Sequence, residues 1–248
     1  MTRIISLTNH KGGVGKTTST VNIGAGLSKL GKRVLLVDID PQANLTQSFG
    51  INDPDNTLYG ALKGNNPLRV IKILPKLDLI PSSLTLSGAE AELMGETGRE
   101  YILRDLLEPL TDGYDFILID TPPSLGLLPI NAFTASHEVF IPLQAQYLAL
   151  QGLSKLLEVI ETTRRRVNRG LQVGGVFITQ YDKRKVLNKT VVNEISSHFE
   201  GKLFKTMIRD NVALAEAPIK GEDIFRYSPS SYGAIDYMGL CKEIVKTK

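Results

Sequence analysis

A single α/β domain, built as a mostly parallel, doubly wound and twisted sheet with helices on both faces, is the fold class predicted for this sequence, and three observations predict it. Apolar runs of strand length alternate with helical segments along the chain. A Gly-rich turn joins the first apolar run to the first helical segment. Three apolar runs end in polar residues, and in open α/β sheets ligands bind beyond the carboxyl ends of the strands.

The elements follow in order. Ile4, Ile5 and Leu7 form the first strand; the turn is Asn9-His10-Lys11-Gly12-Gly13-Val14-Gly15-Lys16-Thr17-Thr18, and Thr18 to Leu30 reads as a helix. Arg33 to Val37 is a strand that ends at Asp38-Ile39-Asp40-Pro41, where the residue before proline is steered out of the α region. Asn52 to Asn66, rich in Asn, Asp, Gly and Pro, reads as loop with one short helix. Phe116 to Ile119 is a strand ending at Asp120-Thr121-Pro122-Pro123, and Val139 to Pro142 and Val173 to Thr179 are further strands. Ala149 to Val167 reads as a long helix and Tyr232 to Val245 as a closing one. The βα units recur without a linker, repeat or low-complexity stretch, so one domain is expected over residues 1–248.

Composition narrows the class. A chain of 248 residues buries roughly 70–75% of its unfolded surface, so no covalent staple is needed. Cys241 is the one cysteine, which excludes an internal disulfide and suits a reducing cytosol. No export signal and no run of ~18 apolar residues is present, so no membrane span is expected. The absence of Trp weakens any case for stacking single-stranded bases.

Net charge is only +3, but it is unevenly placed. Between Arg164 and Lys189 lie eight basic residues (Arg164, Arg165, Arg166, Arg169, Lys183, Arg184, Lys185 and Lys189) against the single acid Asp182. Elsewhere acids outnumber bases, so one segment supplies the basic character. A solvated helix end and loop would carry the same charge; sequence-independent contact with DNA phosphates is the functional alternative.

The chemistry converges on one sheet edge. A Gly-rich turn between strand and helix aims backbone N–H groups at one point, at the positive end of a helix dipole, which makes a polyphosphate cradle. In it Gly12, Gly13, Val14, Gly15 and Thr18 line the phosphates, Lys16 reaches the β/γ-phosphates and the Thr17 hydroxyl sits on Mg²⁺. The common spacing puts Gly six residues before this lysine; here that residue is His10, and a second lysine, Lys11, precedes the Gly pair. Asp120, at a strand end, reads as the carboxylate that holds Mg²⁺. Asp38 and Asp40 are two apart and point to one side. Asp40, further out, is the candidate to orient or deprotonate the attacking water and to serve the metal; Asp38 reads as a structural or supporting carboxylate.

Lys11 to Thr18, Val37-Asp38-Ile39-Asp40-Pro41-Gln42-Ala43-Asn44 and Ile119-Asp120-Thr121-Pro122-Pro123-Ser124 resemble, in order and spacing, the deviant P-loop of the ParA/Soj partition ATPases in the ParA/MinD class. Ile80-Pro81-Ser82-Ser83, Ile141-Pro142-Leu143-Gln144, Ala149-Leu150-Gln151-Gly152-Leu153 and Asn211 to Pro218 extend the resemblance over nearly the whole chain. The resemblance implies a Mg²⁺-dependent ATPase that binds ATP at the interface of a homodimer. Lys11 would cross that interface to the partner subunit's phosphates, with Gly12 small to allow close approach. Asn211 matches the position that contacts adenine, with Arg209 beside it. His10 stands where Gln is usual, Gln146 where Glu is frequent, and Arg209-Asp210-Asn211 where Pro-Arg-Asn is more usual.

Relatives that share this turn do different things. Iron proteins of the nitrogenase type bridge a cluster with two cysteines per subunit, which one cysteine excludes. MinD-like ATPases dock on membranes by a C-terminal amphipathic helix; Ile235, Met238, Cys241, Ile244 and Val245 fall at helical spacing, and a core-packing face explains that pattern as well. A ligase such as dethiobiotin synthetase would need a substrate pocket in place of a DNA face. The resemblance places a DNA-contacting arginine at Arg184, and no helix-turn-helix precedes the Gly-rich turn. The expectation is therefore a cytoplasmic, nucleoid-associated ATPase that coats DNA non-specifically and partitions a plasmid or chromosome with a ParB-like adaptor. A ParA-like positioner of a protein cargo is the alternative.

Overall fold

The computed structural model describes residues 2–146 and 152–247. Among the described residues one sheet of seven strands runs through the molecule: β1 (Arg3–Leu7), β2 (Val34–Asp38), β3 (Ile71–Leu74), β4 (Leu77–Ile80), β5 (Phe116–Asp120), β6 (Glu138–Gln144) and β7 (Gln172–Thr179). The order is β3-β4-β2-β5-β1-β6-β7, and every neighbouring pair is parallel except β3 with β4. The parallel register sets Leu7 and Asp38 both opposite Asp120, so three strand ends finish level at one edge.

The longer helices are α1 (Lys16–Lys29), α2 (Ile102–Leu107), α3 (Leu127–Ala135), α4 (Leu153–Arg166), α5 (Val186–His198) and α6 (Tyr232–Lys246). Strand residues alternate between the faces, as a period of two requires. Ile5, Leu36 and Leu118 pack under α1 and α6, whereas Ile4, Leu35 and Ile117 pack under α2 and α3. Val139, Ile141, Val176 and Ile178 continue that second face under α4 and α5. The strands therefore read as unbroken apolar runs, as expected where both faces are covered.

Helix α1 lies close to its neighbours because it carries glycines. A Cβ at Gly26 would stand 2.6 Å from Cys241 Sγ. The lone cysteine is thus a core residue between α1 and α6, its thiol pushed up in pKa by burial. The apolar stripe of α6 is likewise core: Tyr237, Leu240, Cys241 and Ile244 are buried, and the Tyr237 hydroxyl meets Ser19 Oγ at 2.9 Å. No helix among the described residues is long and apolar enough to cross a membrane.

Two elements depart from the expectations. The antiparallel hairpin β3–β4 was not predicted; each strand has only four residues, and Pro75-Lys76 interrupts the apolar pattern with Lys76 at φ 66°. Helix α5 carries the end of the basic segment and gives little helix signal of its own, since its buried Val191, Val192 and Ile195 are β-branched. The helix expected from Ala149 is described from Leu153, and Ala149 to Gln151 lie outside the described residues. The loop of residues 52–66 contains one short helix, Leu58–Leu62, as expected.

Candidate nucleotide-binding site

The turn between β1 and α1 is held in an open curl. Gly13 and Gly15 sit at φ 73° and 87°, the left-handed region that a residue with a Cβ rarely adopts. Gly15 ends the turn as the cap of α1. The N–H groups of residues 12–18 meet no protein acceptor among the described residues, so the curl presents a row of free donors at a helix N-terminus. Meanwhile the outward carbonyls are bound: Gln144 Nε2 and Gln180 Nε2 both donate to Gly13 O at 2.9 Å, and Thr179 Oγ1 donates to Val14 O at 2.8 Å. Asn9 bridges the start of the turn, accepting from Lys11 N at 3.0 Å and donating to Pro142 O at 2.8 Å. A cradle whose donors face inward and whose acceptors are already used fits a polyphosphate.

Lys16 is only 7% exposed, and its Nζ lies 3.4 Å from Lys11 O. Burial lowers its pKa, while Asp120 and Asp40 pull the other way. Thr17 Oγ1 donates to Asp120 Oδ2 at 2.6 Å, and Thr20 Oγ1 donates to Asp120 Oδ1 at 3.1 Å. A hydroxyl and a carboxylate side by side are the hard oxygen donors that Mg²⁺ takes. Thr20 is an addition to the residues the motif names; its signal is the helix face it shares with Thr17 at spacing i, i+3.

Asp38 and Asp120 are fully buried and face each other across β2 and β5. Burial first, then repulsion from Asp120, pushes the Asp38 carboxyl up to about 8; hydrogen bonds from Thr46 and Asp40 oppose that. Asp120 is pushed up to about 7, again chiefly by burial. Asp40 is buried to 5% exposure, yet it lines a 580 Å³ cavity together with Gly12, Gly15, Lys16, Thr17 and Pro123. Asp40 reaches the cavity, and Asp38 is enclosed behind it.

A second hollow of 150 Å³ adjoins the first at Gly15, Thr18 and Gln180, and is walled by Arg209, Asn211, Leu214 and Tyr237. Residues 202–208 bring that wall in by pairing along the outer edge of β7, with Phe204 N donating to Val176 O and Ile208 N to Ile178 O, each at 2.8 Å. Asn211 Oδ1 accepts from Ala213 N at 2.9 Å. The guanidinium of Arg209 is bound to Asp236, at 2.6 Å for the shortest contact, and lies 3.9 Å over the Tyr232 ring. Arg209 therefore anchors the wall while lining the hollow beside Asn211.

Lys11 Nζ rests on neutral oxygens, 3.0 Å from Gln146 Oε1 and 3.5 Å from Gln144 Oε1. The basic segment, by contrast, is not one patch. Arg164, Arg165, Arg166 and Arg169 precede β7, and Arg164 sits beside Gln172 and Val173 at its start. Lys183, Arg184, Lys185 and Lys189 follow its end. The eight residues of β7 separate the two groups by about 25 Å at ~3.3 Å per residue. The expected pairing of helix end and loop into one DNA face is thus corrected, because the crossover sends the two groups to opposite edges of the sheet. Arg164 is paired with Glu161 at 2.8 Å, and Arg184 with Asp182 at 2.9 Å. Only the Lys183–Lys189 group shares the edge of the nucleotide cleft.

Comparison with known proteins bears on this geometry. Residues 2–173 match the family model described as an AAA domain. The chain is 47% identical to the sporulation initiation inhibitor protein Soj of Bacillus subtilis, covering 98% of each chain. It is 44% identical to the chromosome-partitioning ATPase Soj of Treponema pallidum, covering 99% of this chain and 98% of that one. Among solved structures, a cobyrinic acid a,c-diamide synthase from Mycobacterium smegmatis, crystallised with an ATP analogue and magnesium, superposes with a TM-score of 0.87. It is 34% identical, over 99% of this chain and 95% of that one.

Proposed function

The chain belongs to the Soj/ParA family of chromosome-partitioning ATPases, and from that premise we propose that it is an ATP-driven dimeric switch on DNA. In this reading it binds ATP with Mg²⁺, pairs with a second copy across the nucleotides, binds double-stranded DNA without regard to sequence, and lets go when ATP is hydrolysed. A ParB-like adaptor would stimulate that step and link the cycle to a plasmid or chromosome. The Mycobacterium smegmatis structure is named as a synthase, but the relatives of higher identity carry Soj names and the proposal follows them.

The observation that carries the proposal is the convergence of Lys16, Thr17 and Asp40 on one cavity beside a curl of free N–H donors, with Asp120 bonded to Thr17 directly behind it. Bound there, Mg²⁺ would neutralise phosphate charge, held by Thr17 and Asp120. The free N–H groups and Lys16 would hold the β- and γ-phosphates. Asp40 would orient the water whose oxygen bonds to the γ-phosphorus as the bond to the β-phosphate oxygen breaks, giving ADP and phosphate.

The dimer is supported by two features at the cavity mouth. Among the described residues a Cβ at Gly12 would meet nothing within 4 Å, so none of them explains the glycine. Ile219, 80% exposed, lines the same cavity. Sedimentation with a slowly hydrolysed ATP analogue tests the proposal: the wild-type chain should form a dimer, while Gly12→Val should bind the analogue and stay monomeric. A nucleotide-dependent dimer of Gly12→Val would overturn the close approach at this residue.

A further inference from the structure

We propose that Ser82 and Thr46 are positioning residues for Asp40, holding its backbone through a closed ring of hydrogen bonds. The inference rests on Asp40 serving the hydrolytic step. Strand pairing ends just before this residue: the last residue of β2 in register with β4 is Val37, and the last in register with β5 is Asp38. Beyond it side chains take over. Asp40 N donates to Asp38 Oδ1 at 3.2 Å. Asp38 Oδ2 accepts from Thr46 N at 2.9 Å and from Thr46 Oγ1 at 2.7 Å. Thr46 Oγ1 in turn accepts from Ser82 N at 3.0 Å, and Ser82 Oγ closes the ring by donating to Asp40 O at 2.8 Å.

Both polar groups of Asp40's backbone are therefore clamped, the N–H by Asp38 and the carbonyl by Ser82 Oγ together with Ala43 N, which donates to it at 2.9 Å. Asp38, Thr46 and Ser82 are fully buried, so water does not stand in for a lost partner. The turn they hold has a reason to move: Ala43 sits at φ 54°, a left-handed conformation disfavoured for a residue with a Cβ. Only the Asp40 side chain is left facing the cavity, its Oδ1 accepting from Gln42 N at 2.9 Å. A clamp on the backbone with the carboxylate left to the cavity is what fixing the angle of attack on a water requires, and a misplacement of about 1 Å can slow a reaction about a hundredfold.

The experiment measures ATP hydrolysis in steady state and in single turnover with protein in excess, together with affinity for a fluorescent ATP analogue. Ser82→Ala removes only the side-chain bond to Asp40 O and leaves the one from Ala43 N in place. It should lower kcat between about tenfold and about a hundredfold, with analogue affinity within about twofold of wild type. Thr46→Val should behave alike and Thr46→Ser should recover the wild-type rate. In single turnover, Ser82→Ala should add nothing to the defect of Asp40→Ala. Wild-type rates for both Ser82→Ala and Thr46→Val, beside a defective Asp40→Ala, would overturn the positioning role and leave Asp40 in place. Multiplying defects in the double variant, or loss of analogue binding with a lowered melting temperature in both variants, would mark the ring as merely structural. Full hydrolysis by Asp40→Ala would instead overturn the reading of Asp40 and the positioning role with it.

Discussion

The Thr17 hydroxyl donates to Asp120 Oδ2 across 2.6 Å, joining the first turn of a helix to a strand end 103 positions away. Parallel pairing of β1 with β5 makes this contact, since Leu7 and Asp120 are in register and the turn returns α1 over them. Two oxygens of the right kind are thereby held together before any metal arrives. Asp120→Asn should weaken the Mg²⁺-dependent part of ATP-analogue binding by about 10- to 100-fold, the worth of one charge-assisted contact. Titrations with and without Mg²⁺ check it; an unchanged Mg²⁺ effect would move the metal elsewhere.

Lys16 is buried beside Asp40 and Asp120 and bonds only weakly to Lys11 O, so its charge is available to phosphates. Lys16→Ala should lower affinity for a fluorescent ATP analogue by about a hundredfold or more. Wild-type affinity in this variant would refute the assignment of the cradle.

The Asp38 carboxyl, raised to about 8 by burial, makes stability depend on pH. Its native pKa lies above that of the unfolded chain, so the folded state binds more protons between about pH 4 and about pH 8. Stability from this group is full below the unfolded value and is lost as pH rises through the folded one. Asp120, raised to about 7, acts with the same sign. Urea unfolding of the nucleotide-free protein should show stability falling from pH 5 to pH 8, and Asp38→Asn should reduce that slope. A slope that Asp38→Asn leaves unchanged would assign the effect to another group.

Lys11 rests on Gln146, a neutral partner. Gln146→Glu would turn that seat into an exposed ion pair of about 0.2–1 kcal/mol. If Lys11 leaves the seat to act across a dimer, both subunits give up the pair, and nucleotide-dependent dimerisation should weaken up to about thirtyfold, with ATP binding retained. Sedimentation over a concentration series measures it, and an unaltered dimer constant would mean that Lys11 does not move.

The two basic groups at opposite ends of β7 give distinct expectations. Arg184→Glu with Lys185→Glu, on the edge of the cleft, should abolish nucleotide-dependent DNA binding while ATP binding and dimerisation persist. Arg165→Glu with Arg166→Glu should leave it nearly intact. Each lost phosphate contact makes the plot of log affinity against log salt shallower by about 0.9. Mobility shifts on two unrelated duplexes at several salt concentrations decide between the groups. Equal loss in both pairs would restore the basic run as a single face, and a strong preference for one duplex would indicate sequence-specific recognition.

By itself the sequence determined what is local. The Gly-rich turn, the apolar strands and the polar residues that end them are contiguous, and their chemistry follows from residue type and spacing. That was enough to assign Lys16, Thr17 and Asp120 to one edge, because parallel strands of a doubly wound sheet all finish there. Only the tertiary structure decided what depends on crossovers. It took Arg209 into a pair with Asp236 and brought Gln144 and Gln180 onto Gly13 O. It also closed the ring from Asp38 through Thr46 and Ser82 to Asp40. Those partners lie up to 167 positions apart. No periodicity encodes which of many buried polar groups will meet, since that is settled by strand order and by the demand that each find a hydrogen bond.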